Sequence, residues 1–145
     1  MKIYKVSQSS EINYLNIADT DEFGLDSFLV YDAVDYLERN SGINILRGKE
    51  VSTIAMSGEK VVGALWDEFD GENYSFDVAV LPEYRRMGIA KNLIGDALSN
   101  YSMYQELGAK IILDVVNVDL ANYLQKIGFE VIEEFDGRKI MSMSS

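Results

Sequence analysis

The sequence predicts a mixed α/β fold in which a β-sheet is layered against helices. Three observations carry that expectation. The chain has 145 residues, enough for a single domain over 1–145 with a core of its own and no covalent staples. Apolar spacing switches between steps of two and steps of three and four, so strands and helices alternate through the second half. Each later helix lies between two strands, and parallel neighbours require such a crossover.

The elements follow in order. Residues 2–6 alternate as a short first strand. Ser9 or Ser10 caps a helix predicted over roughly 11–18. Asp26 caps a second, in which Phe28, Leu29, Tyr31, Val34 and Leu37 keep helical spacing up to Ser41-Gly42. Residues 51–56 and 60–66 read as two strands joined by Ser57-Gly58-Glu59-Lys60, and a third runs from Tyr74 to Leu81. From Met87 to Leu107 the set Ile89, Leu93, Ile94, Ala97, Leu98, Tyr101 and Tyr104 marks one long amphipathic helix that Gly108 ends. Lys110–Val116 is a buried strand, and residues 118–127 form a short helix capped by Asn117 or Asp119. Phe129–Phe135 and Arg138–Met143 form a hairpin around Asp136-Gly137.

Composition removes several chemistries. The chain has no cysteine and no histidine, which excludes disulfides, thiolate nucleophiles, histidine-ligated metals and Ser-His-Asp triads. A general base must then be a carboxylate, a tyrosine, an amine or water. The net charge of −11 repels phosphate backbones and anionic membranes, so neither nucleic acid nor membrane is an expected partner. No apolar run reaches the ~18 residues of a span, and Met1-Lys2-Ile3-Tyr4-Lys5 does not begin a signal peptide. A cytoplasmic location is expected.

The stretch richest in chemistry is Val78-Ala79-Val80-Leu81-Pro82-Glu83-Tyr84-Arg85-Arg86-Met87-Gly88-Ile89-Ala90. A strand runs into a tight turn with two arginines and a glycine, and a long helix starts there. A helix start offers unpaired N–H groups and the positive end of a dipole. Gly88 and Ala90 permit close approach of a ligand, and the arginines add charge-assisted bonds, which together read as a pyrophosphate cradle. The competing reading is a plain strand-to-helix connection with solvated arginines. The stretch is neither a Walker loop nor a three-glycine dinucleotide fingerprint.

Arg85-Arg86-Met87-Gly88-Ile89-Ala90 resembles the Arg/Gln-x-x-Gly-x-Gly/Ala loop of the GNAT superfamily of N-acetyltransferases. The preceding Val78–Tyr84 is similar to that family's fourth strand and its exit. Asn117, twelve residues before Phe129 in a segment ending Gly128-Phe129, is similar to the family's second signature. The resemblance covers residues 50–135 closely and 1–49 loosely.

The resemblance implies a mixed, mostly antiparallel sheet of about six or seven strands, with helices on both faces and a splay between the fourth and fifth strands. It implies acetyl-coenzyme A as cosubstrate and no metal. Backbone groups of Val78, Ala79 and Val80 would hold the pantetheine arm. Arg85, Arg86, Met87, Gly88, Ile89, Ala90 and Lys91 would hold the pyrophosphate, and Asn117 would reach the arm. The acceptor is then an amine, and side-by-side homodimers are frequent in the family. The usual tyrosine acid lies four residues before the glycine of Gly-Phe, where this chain has Leu124. Tyr123, one place and about 100° of helix away, is the candidate acid, with a core aromatic as its competing reading. Leu124 also supports a second function, an acyl-coenzyme A-binding module without turnover.

Asp77 and Asp114 are the candidate bases. Asp77 shares a strand face with Ala79. Asp114 stands within Ile111–Val116, where a buried acid needs either a task or a hydrogen-bonded structural partner. Trp66 with Asp67, Glu68 and Asp70 is expected to line the acceptor side, and Tyr14, Tyr31 and Tyr36 to line core or cleft. Residues 1–72 carry net −8, so the expected acceptor is cationic.

Overall fold

Strands form where β-branched and aromatic residues alternate. The computed structural model describes residues 3–5, 12–16, 35, 39 and 50–143, and these contain eight strands. They are β1 (Ile3–Lys5), β2 (Ile12–Asn16), β3 (Glu50–Ser57), β4 (Lys60–Phe69), β5 (Asn73–Val80), β6 (Lys110–Val115), β7 (Phe129–Phe135) and β8 (Arg138–Met143). The helices are α1 (Ile89–Gln105) and α2 (Val118–Lys126), with a 3-10 turn at Pro82–Tyr84. Among the described residues no helix is long and apolar enough to cross a membrane. The chain groups into two compact units, Met1–Asp67 with Phe76–Ser99, and Glu68–Ser75 with Asn100–Ser145.

In the first unit the strands lie in the order β1-β2-β3-β4-β5. β1, β2, β3 and β4 pair antiparallel in sequence, with Tyr4 opposite Tyr14, Tyr14 opposite Ala55 and Ile54 opposite Ala64. Ile12, Ile54, Leu65, Ile89, Leu93 and Ile94 are fully buried and form its core. Each such side chain contributes about 1.5–3 kcal/mol relative to exposure. The steps Ile89, Leu93, Ile94, Ala97 set the buried stripe of α1, as its periodicity predicts.

The second unit has the order β5-β6-β8-β7. β5 and β6 run parallel and pair at Asn73–Lys110 and Tyr74–Ile111, the parallel pairing that a mixed sheet requires. β6 pairs antiparallel with β8, and β8 with β7. The Asp136-Gly137 turn has both residues at positive φ, 48° and 74°, as a two-residue hairpin requires. Tyr74 stacks on Tyr101 and Tyr104, and Phe69 on Tyr104 with centroids 4.3 Å apart. The last turn of α1 closes as a Schellman motif, Ala109 N donating to Tyr104 O at 3.1 Å and Gly108 N to Gln105 O at 2.9 Å.

Two expectations are corrected. Residues 12–16 form strand β2 and not part of a helix over 11–18, which brings the strand count to eight in place of six or seven. Ile12-Asn13-Tyr14-Leu15-Asn16 combines a β-branched residue, an aromatic and two asparagines, all weak helix formers, and β1 and β3 supply ladders on its two edges. The long helix starts at Ile89, not Met87, because Arg86 and Gly88 are left-handed, at φ 66° and 80°. The helix predicted from Asp26 lies outside the described residues except at Asp35 and Arg39. Both are helical, and Arg39 Nε donates to Asp35 O at 3.3 Å.

Candidate active site

The cradle belongs to the first unit, and its shape begins at the end of β5. Leu81 N donates to Val62 O at 2.9 Å, which pins the strand exit to β4. Pro82 supplies the fixed φ of the 3-10 turn, closed by Tyr84 N on Leu81 O and Arg85 N on Pro82 O. Arg85 folds back so that its Nε donates to Val80 O at 3.3 Å, tying loop to strand. Lys60 Nζ lies 5.4 Å from the centre of the Tyr84 ring, a cation–π contact on the same turn.

Arg86 then adopts φ 66°, rare for a residue with a Cβ and concentrated at functional loops. Gly88 follows at φ 80°, and a Cβ built on it would meet only Asn92 Nδ2, at 3.8 Å. The glycine is therefore required by backbone conformation and not by crowding. Asn92 N donates to Gly88 O at 3.1 Å, the first bond of α1. The first turn of α1 carries no acidic residue, although the chain is acidic overall, and it includes Lys91. Left-handed turns feeding a helix N-terminus make a concave set of N–H donors suited to an anion. The residues present fit a pyrophosphate.

The structure brings Val78, Ala79 and Val80 together with Arg85, Arg86, Met87, Gly88, Ile89, Ala90 and Lys91 in this unit. Val78, Ala79 and Val80 are buried, and Asp77, half-buried, alternates with them. Asp114, Asn117 and Tyr123 belong to the second unit. Asn117 caps α2: its side-chain oxygen accepts from Leu120 N at 2.9 Å. Leu124 is fully buried, while Tyr123, the neighbour on the helix, is half-buried. Asp114 has both oxygens engaged by Arg138, from Nε at 3.1 Å and from the terminal guanidinium nitrogen. That is the hydrogen-bonded structural arrangement of the two readings of this acid. The ion pair also raises the Arg138 guanidinium above its ordinary range.

The expected acceptor lining is corrected in part. Trp66 is buried at 4% exposure and belongs to the core. Asp70 Oδ1 accepts from Glu72 N at 2.8 Å and Asn73 N at 2.7 Å, so it builds the β4–β5 turn. Those N–H donors hold its carboxyl below the usual range. Tyr14 is a core residue, while Tyr31 and Tyr36 lie outside the described residues.

Two contributors escape the sequence reading. Gly63 sits where a Cβ would stand 3.1 Å from Ile89 Cγ2 and 3.2 Å from Ala79 O. An isolated glycine in the run Val61-Val62-Gly63-Ala64 is the signal for such close approach. Asn92 is the other: its Nδ2 donates to Gly88 O at 2.7 Å. No motif marks it. Among the described residues no group of three or more acids could hold a metal ion.

The family model of the acetyltransferase (GNAT) domain matches residues 48–131. A sequence search of the curated proteins gives no match. Solved structures with a similar fold include the PaiA N-acetyltransferase of Thermoplasma acidophilum in complex with coenzyme A, at 16% identity, TM-score 0.63 and full coverage of both chains. The ribosomal-protein-S18-alanine N-acetyltransferase of Escherichia coli has 14% identity and TM-score 0.65 over 91% of this chain and 92% of that one. Arabidopsis thaliana Naa50, in complex with the bisubstrate analogue CoA-Ac-MVNAL, has 17% identity and TM-score 0.64, over 92% and 99%. The chain belongs to the GNAT acetyltransferases.

Proposed function

We propose that this protein transfers the acetyl group of acetyl-coenzyme A to a primary amine, of a small molecule or a protein, by direct attack in a ternary complex. The observation that carries the reading is the pair of left-handed residues, Arg86 and Gly88, at the acid-free start of α1. A coenzyme A complex of PaiA and a coenzyme A-peptide complex of Naa50 support the same ligand class. Acetyl-coenzyme A supplies the acyl group as an activated thioester.

The residues then divide the work. Residues 85–91 bind the pyrophosphate, with N–H groups from Arg86 onward as donors, and the backbone of Val78 to Val80 orients the pantetheine arm. Asn117, its oxygen spent on the cap, offers its amide nitrogen to that arm. The Val80 N–H stabilises the oxygen on which charge develops. A free amine with pKa about 10.4 is mostly protonated at neutral pH and must lose a proton, to Asp77 or to water. Tyr123 Oη returns a proton to the departing sulfur. Buried Leu124 favours one other reading, a module that binds acyl-coenzyme A without turnover.

Release of free thiol from acetyl-coenzyme A across a panel of amines separates the two. Amine-dependent thiol release is expected, and its absence with every amine, alongside tight cofactor binding, would leave the binding module. The acidic first half points to a polyamine, aminoglycoside or lysine-rich acceptor. For such an acceptor kcat/KM falls several-fold as salt shortens the screening length below about 8 Å. A flat salt response would reduce the acidity to a solubility feature.

A further inference from the structure

The side chain of Asn92 reaches back one helical turn to Gly88 O at 2.7 Å, while its own backbone N–H bonds the same oxygen at 3.1 Å. One carbonyl is thus held twice by one residue. A trans peptide is planar, so its C=O and the next N–H point in opposite directions. Holding Gly88 O down the helix therefore aims the Ile89 N–H outward from the helix start. Gly88 is left-handed and lacks a Cβ, so without the clamp that peptide has more orientations open to it.

The face of α1 that carries Asn92 is tied to the sheet. One turn further along α1, Asp96 Oδ2 accepts from Thr53 Oγ1 of β3 at 3.2 Å, and Thr53 is buried at 2%. Asp96 also bears electrostatically on Tyr14. β3 thereby ties the face of α1 that holds the loop. Buried polar links of this kind specify one geometry where apolar packing permits several.

We propose that Asn92 is a positioning residue for the pyrophosphate cradle, clamping the Gly88 carbonyl so that the Ile89 N–H faces the ligand. This rests on the reading of residues 85–91 as the acetyl-coenzyme A cradle.

The test is titration of acetyl-coenzyme A into the wild type, Asn92→Ala and Asn92→Ser, with Tm measured on each ligand-free protein. Serine at this place can donate to the carbonyl four residues back, and alanine cannot. Asn92→Ala is expected to raise Kd roughly five- to tenfold, the worth of one hydrogen bond, with no fall in Tm because alanine favours helix. Asn92→Ser is expected to recover most of the affinity. Asn92→Ala binding as the wild type does, or Asn92→Ser binding no better than Asn92→Ala, overturns the clamp. Failure of the wild type itself to bind overturns the cradle reading and the clamp with it.

Discussion

A Cβ on Gly63 would stand 3.1 Å from Cγ2 of Ile89, so β4 passes the first turn of α1 too closely for a methyl group unless its neighbours give by a few tenths of an ångström. The Ala79 carbonyl, 3.2 Å from the same point, closes the other side. Gly63→Ala must push back the Ile89 side chain or the Ala79 carbonyl by a few tenths of an ångström, an overpacking that costs about 1–3 kcal/mol of stability. The denaturant midpoint is expected to fall, and Kd for acetyl-coenzyme A to rise because Ile89 and Ala79 both flank the loop. A variant as stable as the wild type would show that β4 gives way freely.

Gly88 stands at φ 80° with open space around it. Gly88→Glu therefore loses only the strain of a left-handed side chain, about 1–2 kcal/mol, while placing an anion where phosphate would sit. Cofactor binding is expected to disappear from a protein that still unfolds cooperatively. Retained affinity in calorimetry would make the loop a mere connection.

How far the sequence discloses this arrangement depends on the range of the forces involved. The α1 stripe, the Asp136-Gly137 turn and the Arg85–Ala90 loop are set by neighbours within a few residues, and each is where its pattern puts it. β2 is different: Ile12 to Asn16 has no local mandate and becomes a strand because β1 and β3 offer it partners, β3 from about forty residues away. The partner of Asp114 is likewise out of local reach, since Arg138 lies 24 positions on and meets it through the β6–β8 register. Asn92 bears on the loop only through side-chain geometry, for which sequence spacing has no sign.

Tyr123 is the proposed acid. Tyr123→Phe is expected to lower kcat by roughly 10²–10⁴-fold with Kd for acetyl-coenzyme A unchanged. Equal kcat in the two proteins, read by thiol release, would move the proton to water or another tyrosine.

Asp114 and Arg138 are both partly exposed, at 23% and 43%, so their bidentate pair is worth a modest amount. A double-mutant cycle with Asp114→Asn and Arg138→Ala is expected to give a coupling energy of about 0.5–1 kcal/mol in unfolding. A coupling of zero would remove the pair from the structure's stability.

Burial, reinforced by the charge of Asp96, pushes the Tyr14 hydroxyl up to about 12. An unfolded tyrosine ionises near 10, so the unfolded chain loses this proton first. Stability from this group is whole below pH about 10 and is lost as pH climbs toward 12. Tyr14→Phe should flatten that alkaline limb in denaturant titrations at stepped pH. An identical limb in both proteins would place the hydroxyl in water.

The central claim is that residues 85–91 bind the pyrophosphate of acetyl-coenzyme A, and calorimetric titration of the wild-type protein with acetyl-coenzyme A tests it most directly. A saturable one-to-one isotherm that Gly88→Glu abolishes is the predicted result. The absence of binding up to high micromolar ligand, or an isotherm that Gly88→Glu leaves unchanged, would contradict it.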